Sequence, residues 1–149
     1  MKKIFGGIVV TLCAVLLVGC GSSKKLNCSK DFSSSMSYGI KMTQDSEITF
    51  KSDKIQTLTM VMNFEIPETY SSQADSFLST MKSTYERQYS KYNGVTVNAE
   101  KVSDLKFKVT ITMDYKNMSD SDKKALGASG SESYSVNKKS LENQGYTCK

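Results

Sequence analysis

The sequence contains no histidine, and this absence removes several kinds of site at once. Ser-His-Asp and Cys-His nucleophilic sites use an imidazole as the general base, and many zinc sites use it as a ligand. Arg87 is the only arginine among 20 basic residues. The chain therefore has a single guanidinium group for bidentate recognition of phosphate or carboxylate. Few reaction classes therefore remain open to this chain.

The length and charge limit the chain to one domain and exclude an obvious nucleic-acid surface. The chain has 149 residues, of which 38% are hydrophobic, and this is enough for one core. The net charge of +5 includes Lys2 and Lys3; without them, 18 basic residues against 15 acidic ones leave +3. This excess is too small to indicate a nucleic-acid partner, and we expect a monomer that needs no cofactor.

The first 20 residues have the three parts of a signal peptide. A basic start, Met1-Lys2-Lys3, is followed by an apolar stretch from Ile4 to Val18 and by the small residue Gly19 before Cys20. The apolar stretch is several residues shorter than the roughly 20 that a helix needs to cross a bilayer. The sequence therefore predicts a leader at residues 1–19, and a stable transmembrane span is disfavoured.

The segment Leu17-Val18-Gly19-Cys20 resembles the lipobox of bacterial lipoproteins. The resemblance implies that a diacylglycerol is attached to the Cys20 thiol and that cleavage makes Cys20 the first residue. The expected location is therefore the extracytoplasmic side of the cell membrane, with the membrane as a partner through that lipid. An ordinary secretory leader with an incidental Cys20, or an uncleaved anchor, remains the alternative.

A short polar segment follows the predicted lipidation site. We interpret residues 20–27 as the lipidated terminus and its tether, and residues 28–149 as one globular domain. Seven extended residues after Cys20 reach at most about 25 Å, so the domain is expected to lie close to the bilayer. Lys24 and Lys25 are either contacts for anionic headgroups or simply solvated residues of a linker.

Two cysteines remain once Cys20 carries a lipid and Cys13 is removed with the leader. Outside the cytoplasm, pairs of thiols persist as disulfides, which predicts a bridge between Cys28 and Cys148. Closing a loop of roughly 120 residues is worth about 5 kcal/mol in chain entropy. Free thiols or an intermolecular bridge are the alternatives, whereas two cysteines alone do not complete a structural zinc site.

Alternation of apolar and polar residues predicts strands, because a half-buried strand places successive side chains on opposite faces. The alternating segments are 36–42, a second that starts at Ile48 and Phe50, 58–66, 95–99 and 105–115. Turns are expected at Gln44–Ser46 and Ser52–Asp53. Pro67 is expected to end the third strand.

Helical periodicity replaces alternation between residues 71 and 92. The stripe is formed by Ala74, Phe77, Leu78, Met81, Tyr85, either Gln88 or Tyr89, and Tyr92. Ser72 with Asp75 predicts its cap, and Asn93-Gly94 predicts its end. Two short helices are also expected. Ser119 and Asp122 open the first, which stops at Gly127, and the second covers 136–144 and returns Cys148 to the amino end of the domain.

These elements predict an α+β two-layer sandwich. One long amphipathic helix would cover one face of an antiparallel sheet of about four to five strands, and short helices would follow. The segment KNMSDSDKKALG, residues 116–127, together with a cysteine near each end of the domain, resembles the YehR-like small bacterial lipoproteins. That resemblance implies a lipoprotein and supplies no catalytic motif.

Candidate chemical groups in the sequence all have simpler structural explanations. Glu65, Glu68, Asp75 and Glu86 are candidates for a two-carboxylate hydrolase, and Asp114, Asp120 and Asp122 for a calcium loop. Met36, Met42, Met60, Met62 and Met113 are candidates for copper(I) binding, and Tyr85, Tyr89 and Tyr92 for a stacking platform. Solvated carboxylates, helix capping and core packing are the alternatives, and we expect no metal site.

The function expected from the sequence is that of a lipid-anchored, extracytoplasmic module that is not an enzyme. It would bind a protein, peptide or envelope component through the Lys/Thr face of the sheet or through a loop. The alternative is a carrier of a small ligand or metal. A cavity of several hundred cubic ångströms with convergent polar groups would favour the carrier.

Overall fold

The computed structural model describes residues 23–127 and 133–149. The predicted leader 1–19 and the predicted lipidation site Cys20 lie outside the described residues. The strands are β1 (Ser23–Asp31), β2 (Lys41–Lys51), β3 (Lys54–Glu65), β4 (Val95–Ser103), β5 (Lys106–Asp114) and β6 (Thr147–Cys148). The helices are α1 (Ala74–Tyr89), α2 (Asp120–Ala125) and α3 (Tyr134–Asn143).

The six strands form one sheet in the order β4-β5-β3-β2-β1-β6, and every neighbouring pair is antiparallel. The predicted α+β class, the antiparallel sheet and the long covering helix are confirmed. The strand count is six and exceeds the prediction, because β1 and β6 add two strands at one edge. None of the helices in the described ranges is both long and apolar enough to cross a bilayer.

The first predicted strand and the turn after it are both wrong. The segment 36–42 forms a strand only from Lys41 onward, because Tyr38 and Gly39 take positive φ values of 62° and 70° and bend the chain. The predicted turn at Gln44–Ser46 lies in the middle of β2, which continues to Lys51. Alternation persists through these residues, but polar side chains occupy the inward positions, and this hides the strand from sequence analysis.

The predicted tether is also shorter than expected, because most of it belongs to β1. Ser23 to Asn27 pair with β2 in an antiparallel register, and Leu26 is 0% exposed opposite Ile48. Only Leu26 and Cys28 alternate inward in the segment SKKLNCSKD, and two apolar residues are too few for a recognisable pattern. The formation of β1 therefore depends on its pairing with β2, which is a tertiary interaction.

The turn and cap predictions beyond residue 50 are more accurate. Ser52 and Asp53 connect β2 to β3 with positive φ values of 51° and 61°, as the mirror-image turns of tight hairpins require. Pro67 follows the end of β3. Ser119 caps α2 by accepting a hydrogen bond from the Asp122 amide at 3.1 Å.

The long helix is confirmed, but its two ends differ from the prediction. A 3-10 helix, Glu68–Gln73, leads into α1, and the residue at the cap position, Gln73, makes no side-chain capping bond. The helix ends at Tyr89, before the expected stop. Gly94 instead directly precedes β4. Its φ is 77°, and a Cβ there would lie 2.7 Å from the Asp114 carbonyl oxygen, so glycine fits this position.

One face of the sheet, here called the helix face, carries the buried core beneath the helices. Its buried apolar strand residues are Leu26, Cys28, Ile48, Phe50, Ile55, Met62, Phe64, Phe107, Val109, Ile111 and Met113. The predicted stripe of α1 packs against them, and the Phe77 ring contacts Phe64 and Phe107 at centroid distances of 5.8 and 6.2 Å. α1 lies over β4 and β5, whereas α3 lies against β1 and β6.

The outer strand β4 has an irregular end. A bulge interrupts its pairing with β5 between Lys101 and Ser103. The Lys101 ammonium lies 3.0 Å from Asp75 of α1 and 3.3 Å from Asp104, and these carboxylates raise the pKa of Lys101, with Asp75 contributing most. The edge strand is therefore tied to the helix above it.

The predicted disulfide between Cys28 and Cys148 is present and closes the sheet at its other edge. The two residues are direct partners in the β1–β6 pairing and have a sequence separation of 120. The adjacent backbone adds two hydrogen bonds between Asn27 and Lys149, of 2.8 and 3.3 Å. The bridge thus joins the first described strand to the last.

We predict that the double variant Cys28→Ser, Cys148→Ser loses about 2–5 kcal/mol of unfolding free energy, as is typical when a native bridge is removed from a small domain. Urea denaturation followed by circular dichroism measures the loss. Reduced wild-type protein should match the variant. Equal midpoints for the oxidised wild type and the variant would contradict a stabilising role.

Candidate functional site

A cleft lies on the helix face between α1 and α3, and β2 and β3 form its floor. Its volume is about 450 Å³, within the range of about 300–1,000 Å³ that is usual for ligand sites. We call it the helix-face cleft. Its lining residues are Gln44, Ser46, Ile48, Ile55, Leu58, Met60, Tyr89, Met113, Tyr115, Leu126, Gly127, Val136, Asn137, Ser140, Leu141, Gln144 and Tyr146.

The two ends of the helix-face cleft differ in polarity. Near the β2–β3 hairpin the floor is aliphatic, with Ile48 directly opposite Leu58 in the sheet. Toward the start of β2 the floor becomes polar at Ser46 and Gln44. Ser140 lies near the end of α3 and Gln144 directly follows this helix, and they add a hydroxyl and an amide to the lining. The cleft is therefore amphipathic along the direction of the strands.

Ser46 is the most informative residue of the floor. It is 6% exposed and is the only buried polar residue in the described ranges. Its sheet neighbours on either side are Cys28 and Met60, so an apolar residue would be ordinary at this position. Its hydroxyl accepts a hydrogen bond from the Gln44 side-chain amide at 3.3 Å and retains a proton to donate.

No charged side chain is found among the described residues that line the helix-face cleft, although 23% of the chain is charged. The ionisable groups of the lining are the tyrosine phenols. Burial raises the pKa of Tyr146, which keeps this phenol neutral. The described lining can therefore offer apolar contact and neutral hydrogen bonds, and it includes no counter-ion for a charged ligand.

Sequence analysis missed the polar residues of this cleft. Gln44 and Ser46 were predicted to form a turn, and Ser140 and Gln144 were assigned only to a short helix. The available signal was polar residues at the inward positions of an alternation that continues from Met42 to Phe50. A buried polar position of this kind needs an explanation, whereas an exposed one does not.

Of the three tyrosines that were candidates for a stacking platform, two pack against the core instead, as the alternative expected. Tyr85 and Tyr89 stack on each other, with ring centroids 6.3 Å apart, and both pack against the core. Burial, and then the neighbouring Tyr89, raise the pKa of Tyr85. The Lys91 ammonium lies 5.0 Å from the centre of the Tyr92 ring. Among these three, only Tyr89 reaches the helix-face cleft.

Members of both carboxylate sets have structural partners. Glu65 lies on the open face of the sheet, 3.0 Å from Lys41 and 3.5 Å from Lys106, and these lysines lower its pKa, with Lys41 contributing most. A general acid needs the opposite shift. In the suggested calcium loop, the Asp114 carboxylate accepts hydrogen bonds from the Lys116 amide at 3.0 Å and the Asn117 side chain at 2.8 Å.

The methionines are distributed over the core, and no metal cluster accompanies them in the described ranges. Met62 and Met113 are buried, Met36, Met42 and Met60 are half-buried against the core, and Met60 and Met113 also line the helix-face cleft. Within residues 23–127 and 133–149, no three histidine, cysteine, aspartate or glutamate side chains are grouped as a metal site requires.

The open face of the sheet is the predicted Lys/Thr surface, and much of its charge is paired. Lys25 contacts Glu47 at 3.1 Å, and Lys108 contacts Glu100. The remaining surface is rich in threonine hydroxyls, including Thr49, Thr57, Thr59, Thr96, Thr110 and Thr112 on adjacent strands. Lys24 lies on the opposite face, where its ammonium is 5.7 Å from the Tyr134 ring centre.

A loop at the far end of β2 presents the most exposed aromatic residue in the described ranges. Tyr38 is 74% exposed and contacts the Tyr70 ring edge-on at 5.9 Å. Beside it is an apolar pocket of about 290 Å³, lined by Tyr38, Ile40, Ile66, Tyr70, Gln73 and Phe77. This loop and the open face are candidate surfaces for a macromolecular partner.

Comparison with known proteins assigns no family to the chain. No protein-family model matches it, and no curated protein does so at a significant level. Among solved structures, the chain is similar to an NMR structure of a protein from Streptococcus pneumoniae TIGR4. The two are 12% identical, the similarity covers 85% of this chain and 80% of that one, and the TM-score is 0.48. A similarity of this strength carries no functional argument.

We predict that replacing Lys41 and Lys106 together by alanine raises the pKa of Glu65 toward its ordinary value. The pKa is lowered in the folded chain, so the stabilisation exists above the ordinary glutamate pKa and is lost as the pH falls through the folded value. An NMR titration of the Glu65 carboxyl carbon measures the shift. Lys138→Ala is the control, and an unchanged pKa in the double variant would refute the ion pairs.

Proposed function

We propose that this chain is a lipid-anchored, extracytoplasmic binding protein and not an enzyme. The observation that carries the proposal is the Cys28–Cys148 bridge, because disulfides of this kind persist in oxidising compartments outside the cytoplasm. The bridge also occupies both cysteines that follow Cys20. Together with the leader and the segment Leu17-Val18-Gly19-Cys20, this supports lipidation of Cys20.

The position of β1 supports a close and oriented attachment to the bilayer. Three chain steps separate Cys20 from Ser23, which limits the distance between them to about 10 Å. Ser23 is paired with Lys51 beside the β2–β3 hairpin. An anchored molecule therefore holds this hairpin end of the sheet toward the membrane. The Tyr38 loop, which precedes β2, lies at the opposite end.

The helix-face cleft supports carriage of a small ligand as a second candidate function. Its volume and its convergent polar groups are the features expected of a ligand site. In the part of the chain that the structure describes, no three histidine, cysteine, aspartate or glutamate side chains are grouped as a metal site requires, so the candidate is stated for a small organic ligand. Among the lining residues in 23–127 and 133–149 there is no carboxylate, lysine or thiol for acid-base or nucleophilic chemistry, which supports binding as the role of the cleft.

We predict that Cys20→Ala abolishes incorporation of a palmitate analogue into the protein in bacterial cells, because the thiol that would carry the lipid is lost. Gel fluorescence after coupling a dye to the analogue measures incorporation. Cys13→Ala is a matched control in the same leader and should keep the label. Equal labelling of wild type and Cys20→Ala would rule out the anchor.

We also predict that the two ends of β2 lie at different heights above the bilayer. A dye at Lys51→Cys should transfer energy strongly to an acceptor lipid in proteoliposomes, and a dye at Lys41→Cys should transfer weakly. Ten strand steps of about 3.4 Å separate the two positions by about 34 Å. Equal transfer from both sites would exclude the proposed orientation, and Cys20→Ala should abolish both signals.

A further inference from the structure

We propose that the helix-face cleft binds one uncharged amphiphile, with its aliphatic part over Ile48 and Leu58 and a hydroxyl- or carbonyl-bearing head at Ser46 and Gln44. This inference rests on the second candidate function, carriage of a small ligand by the cleft. It does not depend on the lipid anchor. Different measurements therefore test ligand binding in the cleft and lipid attachment at Cys20.

The exclusion of charged ligands follows from the composition of the lining. Burying an ionised carboxylate or ammonium without a partner costs several kcal/mol or more, and the described lining contains no lysine, arginine, aspartate or glutamate to compensate for it. Lys30 is not a lining residue, but its ammonium lies beside the polar end, where it donates to the Gln144 backbone carbonyl. Other charges of the domain are placed on the opposite face of the sheet. Glu65 and Glu100, for example, form ion pairs with lysines on the open face. A neutral ligand avoids this penalty.

The assignment of the head group follows from the hydrogen-bonding groups at the polar end. The Ser46 hydroxyl and the Gln44 amide both donate and accept, and Gln44 uses one donor on Ser46 itself. Across the cleft, the Gln144 side chain donates to the Ser140 carbonyl and hydroxyl at 3.2 and 3.3 Å, and its amide oxygen can still accept. These protein groups can therefore bind a ligand hydroxyl, which donates and accepts, or a ligand carbonyl, which only accepts.

The assignment of the tail follows from the aliphatic end of the floor. Ile48, Ile55, Leu58 and Met113 line this end together with Val136 of α3. Burial of aliphatic surface contributes about 25 cal/mol per Å², so a chain of several methylene groups supplies the larger part of the affinity. The polar end then fixes the direction in which the ligand lies.

The direct test is a titration with monooctanoylglycerol, compared with octanoate and with glycerol. A chain that begins at Gly21 is suitable, because the buried core is formed by residues between Leu26 and Met118. The methyl NMR signals of Met60 and Met113 report on the cleft, and those of Met36 and Met42 report on the remaining core. We expect monooctanoylglycerol to shift the Met60 and Met113 signals alone, and octanoate to bind at least tenfold more weakly.

Two variants locate the binding. Ser46→Ala should weaken monooctanoylglycerol binding about threefold to tenfold, the usual size of one neutral hydrogen bond. Ser140→Phe fills the cleft from α3 and should abolish binding. Lys139→Phe, its neighbour on α3 outside the lining, should bind as wild type does. Dispersed methyl spectra of all three confirm that they fold.

The outcomes separate the inference from the function on which it rests. If octanoate shifts Met60 and Met113 as strongly as the neutral ester does, the cleft carries ligands, but the exclusion of charge is overturned. If no probe shifts these methyl groups, or if Ser140→Phe binds normally, the cleft is not the site. Both the inference and the proposed carriage of a ligand are then overturned. Palmitate labelling at Cys20 is unaffected by either result.

An uncharged amphiphile could come from the bilayer or from solution, and one further arm distinguishes these sources. Vesicles of phosphatidylcholine that contain dioleoylglycerol present the ester chemistry within a membrane. Transfer of dioleoylglycerol to the protein supports a membrane source. Binding of monooctanoylglycerol without such transfer supports a dissolved ligand, and both results uphold the proposed chemistry.

Discussion

The register of β1 against β2 is the constraint on which the remaining structure depends. Leu26 lies opposite Ile48 and Cys28 lies opposite Ser46. A slip of one residue would turn both side chains to the open face, because successive residues of a strand point to opposite sides. The disulfide to β6 holds this register from the outer side. Through β6 it also fixes α3, whose carboxyl end receives a hydrogen bond from Lys30 of β1.

The helix-face cleft is a geometric result of this arrangement. α1 lies over β4 and β5 at one edge of the sheet, and α3 lies against β1 and β6 at the other. With strands about 4.8 Å apart, the centres of these two outer pairs are separated by about 19 Å. Packed helices lie only 8–10 Å apart. The middle strands, β2 and β3, are therefore left with a gap about one helix wide above them.

The sequence predicted those elements whose inward positions are uniformly apolar. The strand around residues 105–115 and the helix around residues 74–89 each have an unbroken stripe, and both were found at nearly the observed place. β1 was missed because only Leu26 and Cys28 alternate inward, so its existence depends on partners far away in sequence. The alternation in β2 was misread as two segments because Gln44 and Ser46 interrupt its apolar side.

The candidate site was predictable only in part, for the same physical reason. The bridge between Cys28 and Cys148 followed from counting the cysteines that remain once Cys20 is lipidated. The cleft could not be predicted from local pattern, because its lining comes from β2, β3, β5, α1 and α3 and from the spacing between helices. Residues that break the apolar pattern, such as Ser46, indicated its position without indicating its shape.

The irregular end of β4 has a consequence for contacts between copies of this protein. An open edge strand exposes backbone donors and acceptors that a second molecule can pair with, and such pairing leads to fibrous aggregates. Here the bulge at Lys101–Ser103 disturbs the spacing of those groups, and Lys101 places a charge beside them while it is held by Asp75 and Asp104. Identical molecules at high local density are thereby kept from joining sheet to sheet into a continuous ribbon.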